Sequence, residues 1–226
     1  MRLLLISSSN VHGYGYLDHA EPELRRLLSG VRSVSFVPFA LQNHGAYTAK
    51  VRDRLRLMGL EVTQVRGAAE IHEAEAIFIG GGNTFRLLKR LYDDDLIDAI
   101  RKRVRNDGVP YIGSSAGTNV ATLSIRTTND MPIVYPPSFD ALGLVNFQIN
   151  PHYLDPDPDS THKGETREER IREFHEENET PVVGLREGAM LRVEDDVITL
   201  VGDKPARIFR RGLEPEELPP GSRVDL

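Results

Sequence analysis

The apolar residues in the first half of the chain occur in short continuous runs. Four runs rich in leucine, isoleucine, valine or phenylalanine occupy residues 3–6, 34–37, 62–65 and 76–79. The segments between them, such as 21–28 and 46–58, place apolar residues three or four positions apart, with charges on the other face. Because the runs are continuous rather than alternating, they indicate strands buried on both faces. The pattern predicts an α/β fold with a mostly parallel sheet and helices on both faces.

The C-terminal part of the chain has a different pattern. Its apolar runs follow one another with only turns between them, at 181–185, 189–193, 197–201 and 206–209. This spacing predicts antiparallel hairpins that extend or flank the one sheet. The Pro-Asp stretch 155–160 predicts a surface loop, and the Pro-rich tail 214–226 is expected to be irregular. No long linker interrupts the chain, so we expect a single catalytic domain over residues 1–226.

Composition narrows the chemistry that this chain can perform. It has 226 residues, of which 39% are hydrophobic and 27% charged, and no cysteine, which excludes disulfides, thiolate zinc sites and a cysteine nucleophile. A formal net charge of −6 argues against nucleic acid and favours a small substrate. The apolar start is too short for a signal peptide, and no run approaches the roughly 20 residues of a membrane span. We therefore expect a cytoplasmic protein, either a monomer or a homodimer.

The strongest local signal is a G-x-S-x-G motif formed by Gly113, Ser115 and Gly117. It follows the short apolar run 109–112 and precedes the helix-like segment 118–123. In a nucleophile elbow, glycines at these positions let the chain turn sharply and expose the central serine at a helix N-terminus. The motif alone also fits ordinary turn chemistry. Ser114 is a rival hydroxyl, less favoured because it is not central.

A second glycine cluster, Gly80-Gly81-Gly82-Asn83, ends the run 76–79 and precedes a helical segment. One interpretation is a tight strand-to-helix turn in which Asn83 caps the helix. A compatible one is that a backbone N–H of the cluster stabilises an oxyanion. We assign the oxyanion donors to Gly82 and Ala116, and include Asn83 among the substrate-binding candidates.

A catalytic serine needs a base and a group that orients the base. Of the seven histidines, His152 is favoured because it follows the apolar run 147–149 and is expected at a strand end. His162 remains a possible loop candidate. Two carboxylates, Asp130 and Glu187, compete to orient the base, and either could instead cap a turn or pair with an arginine. The remaining histidines are expected to be surface or capping residues: His12, His19, His44, His72 and His175.

These motifs together resemble the peptidase E family, the alpha-aspartyl dipeptidases, over nearly the whole chain. Five segments carry the resemblance in the same order: GGGNTF at 80–85, YIG and SAG at 111–113 and 115–117, IRTTNDMPIV at 125–134, INPH at 149–152 and HKGETR at 162–167. The resemblance implies a Ser-His-acid hydrolase of dipeptides with N-terminal aspartate. It also implies a fold similar to class I glutamine amidotransferases (flavodoxin-like), with no metal and no cofactor.

The resemblance also implies roles for individual residues. Ser115 matches the family nucleophile and His152 matches its base. For the acid, Asp130 matches the usual charge-relay assignment, whereas Glu187 lies in a matching Glu-Gly and is its competitor. Ser114 is a departure, because a bulkier residue often precedes the nucleophile in this family.

Selectivity for aspartate requires a cation near the β-carboxylate of the substrate. Arg167 is the first candidate, although it could instead lie on a helix surface and pair with Glu168 or Glu169. Arg126 is the reserve. The closest rival function is a cyanophycinase-like hydrolase of β-Asp-Arg dipeptides, and a non-catalytic binding module of the same fold is a further alternative. A glutamine amidotransferase is disfavoured because its nucleophile is a cysteine.

Overall fold

A computed structural model describes residues 1–157, 159, 161 and 163–226. Five of the N-terminal runs form parallel strands in one of its sheets. The strands are β1 (Arg2–Ile6), β2 (Ser33–Val37), β3 (Glu61–Gln64), β4 (Ile77–Ile79), β5 (Tyr111–Ser114), β6 (Gln148–Pro151), β7 (Val182–Leu185), β8 (Ala189–Glu194), β9 (Val197–Gly202), β10 (Ala206–Phe209) and β11 (Glu216–Leu218). Seven of them form a sheet in the order β3-β2-β4-β5-β1-β8-β9. Strands β8 and β9 form an antiparallel hairpin that extends its β1 edge.

Alternate residues of the central strands enter two separate hydrophobic clusters. Leu3 and Leu5 belong to one cluster, whereas Leu4 and Ile6 belong to the other. Both faces of the sheet are therefore buried, which explains why its strands are continuous apolar runs. The helices that cover it are α1 (Glu21–Leu27), α2 (His44–Arg56), α3 (Ala68–His72), α4 (Thr84–Asp93), α5 (Leu96–Arg105) and α6 (Ala116–Asn119). The predicted α/β architecture is confirmed.

The first two helices cover one face of the sheet, and the next helices cover the other. Leu24 of α1 and Val51 of α2 pack with Leu4, whereas Leu88 of α4 and Ile100 of α5 pack with Leu3. The amphipathic spacing of these helices is the pattern that predicted them. No helix in the described part of the chain is long and apolar enough to cross a membrane.

The C-terminal strands correct one expectation. Strands β8 and β9 extend the main sheet, but β7 and β10 join β6 and β11 in a second sheet ordered β11-β10-β7-β6. Strand β7 pairs in parallel with β6, and a long stretch of chain separates the two strands. The order of the apolar runs along the sequence therefore did not predict this pairing. The tail predicted to be irregular contributes β11, because its residues 216–218 pair with β10. Helix α7 (Arg167–Glu177) covers this second sheet, where Ile171 packs against Val182 and Phe209.

The segment after β5 also differs from expectation. The predicted helical segment 118–123 is shortened to α6, which ends at Asn119. Beyond it, Ala121 and Thr122 make turn-type backbone hydrogen bonds to the carbonyls of Thr118 and Asn119. Helix α6 is therefore a single turn at the junction of the two sheets.

Candidate active site

Ser115 lies in the turn between β5 and α6 in a strained backbone conformation. Its φ of 54° and ψ of −110° lie in a region that L-residues rarely adopt. Hydrogen bonds hold it there, because its N–H donates to Ile6 O at 3.0 Å and its carbonyl accepts from Asn119 N at 2.9 Å. The turn presents the Ser115 hydroxyl beyond the carboxyl end of β5.

The two glycine clusters approach one another at this turn. A Cβ atom added to Gly81 would lie 3.0 Å from Ser115 Cβ and 3.2 Å from Ser114 O. A Cβ atom added to Gly117 would lie 2.7 Å from Ile79 C, at the end of β4. A side chain at Gly117 would overlap the end of β4, and one at Gly81 would force Ser115 or the 80–82 turn to shift by a few tenths of an ångström, so glycine allows the close approach at both positions.

His152 follows β6 and contacts the Ser115 hydroxyl. Its Nε2 lies 2.7 Å from Ser115 Oγ. Its backbone has a φ of 54° and is held by Ser7, whose Oγ accepts from His152 N at 2.9 Å and donates to Leu185 O at 2.7 Å. The buried Ser7 hydroxyl therefore links the end of β1 to the ends of β6 and β7. The role of Ser7 could not be predicted from the sequence, because Ser7 contacts residues 145 and 178 positions away in the chain.

Glu187 contacts the other ring nitrogen of His152. Its Oε1 lies 2.7 Å from His152 Nδ1, and the side chains of His152 and Glu187 are 38% and 52% exposed. A carboxylate at Nδ1 favours the tautomer that carries its proton there, which leaves Nε2 able to accept the serine proton. The exposure shows that this arrangement is open to solvent before substrate binds.

The neighbouring Arg186 does not compete for Glu187. Its guanidinium makes a two-pronged contact with Asp155, with distances of 2.7 and 2.6 Å, and a further contact with Glu217. The hydrogen bond from Arg186 lowers the pKa of Asp155 and outweighs the effect of burial. Because these two carboxylates bind Arg186, the carboxylate of Glu187 remains available to hydrogen-bond His152.

The structure locates Asp130 away from His152. Its Oδ2 accepts from Thr84 N at 2.7 Å and from Thr84 Oγ1 at 2.6 Å. Asp130 therefore satisfies an otherwise unpaired N–H in the first turn of α4, a position where a carboxylate is favoured. The expectation that Asp130 orients the base is not supported by this geometry, and the carboxylate at hydrogen-bond distance is that of Glu187.

The two N–H groups expected to hold an oxyanion remain unpaired. Within the described residues, neither the Gly82 N–H nor the Ala116 N–H donates to a protein acceptor. Their neighbours are occupied, because Gly81 N donates to Tyr47 Oη at 2.8 Å and Asn83 N donates to Ala40 O at 3.0 Å. The Tyr47 hydroxyl thus helps to hold the glycine turn, a role for which the sequence has no signal.

The substrate-binding candidates occupy different environments. Both polar atoms of the Asn83 side chain make protein hydrogen bonds, since its Oδ1 accepts from Arg86 N and its Nδ2 donates to Met131 O. Arg126 is exposed, with its guanidinium 6.0 Å from the centroid of the Phe139 ring. Ser114, the rival hydroxyl, is fully buried. His162 lies outside the described residues.

Arg167 is half-buried at the first position of α7 and forms no ion pair within the described part of the chain. Burial lowers its pKa, the charge of Arg170 lowers it further, and the charge of Asp130 opposes both effects. Its guanidinium is therefore a cation on the Asp130 side of the site, and no carboxylate among the described residues neutralises it by direct contact.

A cavity of about 600 Å³ opens beside Ser115 and His152. Gly81 and Gly82 form one wall, and residues from the loop after β1, from the loop before α2 and from α2 itself form most of the rest. None of the side chains Asp130, Arg126 and Arg167 lines this cavity among the described residues. The nucleophile is therefore accessible to a small molecule from a side that these residues do not occupy.

Comparison with known proteins identifies the family. The model of peptidase family S51 matches residues 3–201. The chain belongs to peptidase family S51. One relative of this S51 member is a protein named Peptidase E from Streptomyces coelicolor, which is 58% identical over 98% of this chain and 93% of its own length. Another is named "Probable alpha-aspartyl dipeptidase" and comes from Drosophila melanogaster; it is 54% identical over 96% of this chain and 93% of its own length. The predicted membership of the peptidase E family is confirmed.

A solved structure supports the fold of this S51 member. A peptidase from an acI-B1 Actinobacterium matches it with a TM-score of 0.70 and 18% sequence identity, covering 100% of this chain and 96% of its own. At this level of identity the match bears on the fold alone.

Proposed function

We propose that this chain is a serine-type dipeptidase that hydrolyses dipeptides with an N-terminal aspartate, and that residues 1–226 act as one catalytic unit. One observation carries the proposal, the line of hydrogen bonds from Ser115 Oγ through the His152 ring to Glu187, with distances of 2.7 and 2.7 Å. Membership of a peptidase family and the names of its relatives support the substrate class.

The mechanism follows from the position of each group. Ser115 Oγ attacks the carbonyl carbon of the scissile peptide bond while His152 Nε2 accepts its proton. Glu187 stabilises the resulting imidazolium, and the N–H groups of Gly82 and Ala116 donate to the oxyanion. His152 then protonates the leaving amine, which departs and leaves an aspartyl ester on Ser115. Water, deprotonated by His152, hydrolyses this ester and restores the enzyme.

For the aspartate side chain of the substrate, we assign Arg167. Its half-buried guanidinium has no protein partner among the described residues, so an incoming carboxylate would gain a charge-assisted hydrogen bond without displacing another. Arg126 is the weaker choice, because it is exposed and packs over Phe139.

The nucleophile is tested by replacing each adjacent serine in turn. Ser115→Ala removes the attacking oxygen, so kcat for Asp-Leu and Asp-p-nitroanilide should fall by at least about 10³-fold. The matched control Ser114→Ala should retain most of its activity. Activity that persists in Ser115→Ala would reject the mechanism.

The substrate class is tested with β-Asp-Arg, which the wild-type chain should hydrolyse far more slowly than Asp-Leu.

The orienting acid is tested by comparing two carboxylate-to-amide changes. Glu187→Gln should lower kcat by about 10²-fold or more, because the amide no longer selects the productive tautomer of His152. Asp130→Asn should change kcat by less than about tenfold and should instead reduce the free energy of unfolding by about 1–3 kcal/mol, because it weakens the cap of α4. Steady-state kinetics and chemical denaturation measure the two effects. The reverse pattern would assign the role to Asp130.

The aspartate-binding residue is tested by a preference ratio. Arg167→Met should lower kcat/KM for Asp-Leu by about 10²-fold while changing that for Asn-Leu little, since only the charged side chain loses its partner. Arg170→Met, which removes the same charge from an exposed residue of the same helix, should leave the ratio of the two kcat/KM values unchanged. A preference that survives in Arg167→Met but collapses in Arg126→Met would transfer the assignment to Arg126.

A further inference from the structure

The cavity beside Ser115 has no assigned occupant in the proposed reaction. The residues proposed to bind the substrate aspartate do not line it, whereas Ser115, His152 and Gly82 do. A dipeptide bound with its aspartate toward Arg167 must place its second residue on another side of the scissile bond. The cavity is a space of suitable size for that second residue, since its volume of about 600 Å³ exceeds that of any single amino acid.

The charge in this cavity comes from one lysine. Within the described part of the chain, Lys50 of α2 is the only Lys, Arg, Asp or Glu that lines the cavity. Its Nζ lies 4.2 Å from the centroid of the Tyr16 ring and forms no ion pair within the described residues. The ring face attracts the ammonium and keeps it at the cavity. An anion that enters therefore meets a cation without an ion-pair partner and, as far as the described lining residues go, no carboxylate.

Acidic side chains close to the Tyr16 loop do not cancel this charge, because they are bound to a different cation. Arg54 of α2 is buried and pairs with Asp18 and Glu21. Its Nε also donates to Tyr16 O at 3.0 Å, which fixes the loop that carries Tyr16. Lys50, one helical turn away from Arg54, thus has no carboxylate partner in the part of the chain that the structure describes.

Two tyrosine hydroxyls contribute to the polar surface of the cavity. The Tyr16 hydroxyl is buried beside the hydroxyls of Tyr47 and Ser9, but it makes no hydrogen bond of normal distance and angle among the described residues. The Tyr47 hydroxyl oxygen accepts from Gly81 N. Burial raises the pKa of both phenols, so both remain neutral and able to donate. A buried donor without a partner is costly unless a ligand or water satisfies it.

We propose that Lys50, assisted by the Tyr16 hydroxyl, binds the free α-carboxylate of the leaving residue. The proposal rests on the proposed function. In a dipeptide Asp-X, the α-carboxylate carbon lies within about 4 Å of the scissile carbonyl carbon, because only N and Cα separate them. The flexible four-carbon stem of Lys50 allows its ammonium to move toward this carboxylate. This contact would give the enzyme a preference for peptides that end one residue after aspartate.

The experiment compares substrates that differ only in the leaving group. Lys50→Met should raise KM for Asp-Leu by about 10- to 100-fold, the range expected for a lost charge-assisted hydrogen bond, with kcat changed by less than about twofold. Asp-Leu amide and Asp-p-nitroanilide lack the carboxylate, so their KM should change by less than about twofold. Lys50→Arg should restore most of the affinity for Asp-Leu. Tyr16→Phe should raise KM for Asp-Leu alone, by a smaller factor.

The matched control is Lys102→Met, which removes the same charge from an exposed position of α5 and should leave all three substrates unaffected. An unchanged KM for Asp-Leu in Lys50→Met would overturn the proposal, as would an equal rise for all three substrates. The proposed function fails by a separate result, namely that the wild-type chain does not hydrolyse Asp-p-nitroanilide at all.

Discussion

The hydrogen bond between Ser115 and His152 joins two different sheets, and the geometry of the site depends on holding those sheets together. Ser115 follows β5 of the seven-stranded sheet, whereas His152 follows β6 of the four-stranded sheet. Buried polar contacts fasten the junction. In α6, Thr118 Oγ1 donates to Ile6 O at 2.7 Å and Asn119 Nδ2 donates to Ile149 O at 2.9 Å, so this single turn is bonded to both sheets.

The same contacts maintain a strained backbone at the two reacting side chains. Ser115 and His152 both have a φ of 54°, which costs a non-glycine residue of order 1–3 kcal/mol. Ser7 offsets part of this cost at His152, because its hydroxyl bonds both His152 N and Leu185 O. Each of these buried bonds would cost about 1–3 kcal/mol to leave unmade, so the strained geometry is stabilised by the fold around it.

Those parts of this arrangement that depend on local patterns of residues could be predicted from the sequence. Continuous apolar runs identified the central strands because both faces of the sheet are buried, and the glycine spacing around Ser115 identified the turn because only glycine fits there. The choice between Asp130 and Glu187 stayed open, because both lie outside strands and helices and their sequence neighbours do not reveal which one faces His152. The second sheet was missed because β7 pairs with strands distant in sequence. Ser7, Tyr47 and Lys50 were missed because their roles arise from contacts or from a cavity that only the folded chain forms.

The central claim is that the hydroxyl of Ser115 is the activated nucleophile of this site, and covalent labelling tests it most directly. The chain would be incubated with a diaryl phosphonate analogue of aspartate, digested and examined by mass spectrometry. One adduct is expected, on Ser115, and its formation should parallel the loss of activity and be abolished in His152→Ala. An adduct on Ser114 or another residue, or an enzyme that is inactivated with Ser115 unmodified, would contradict the central claim.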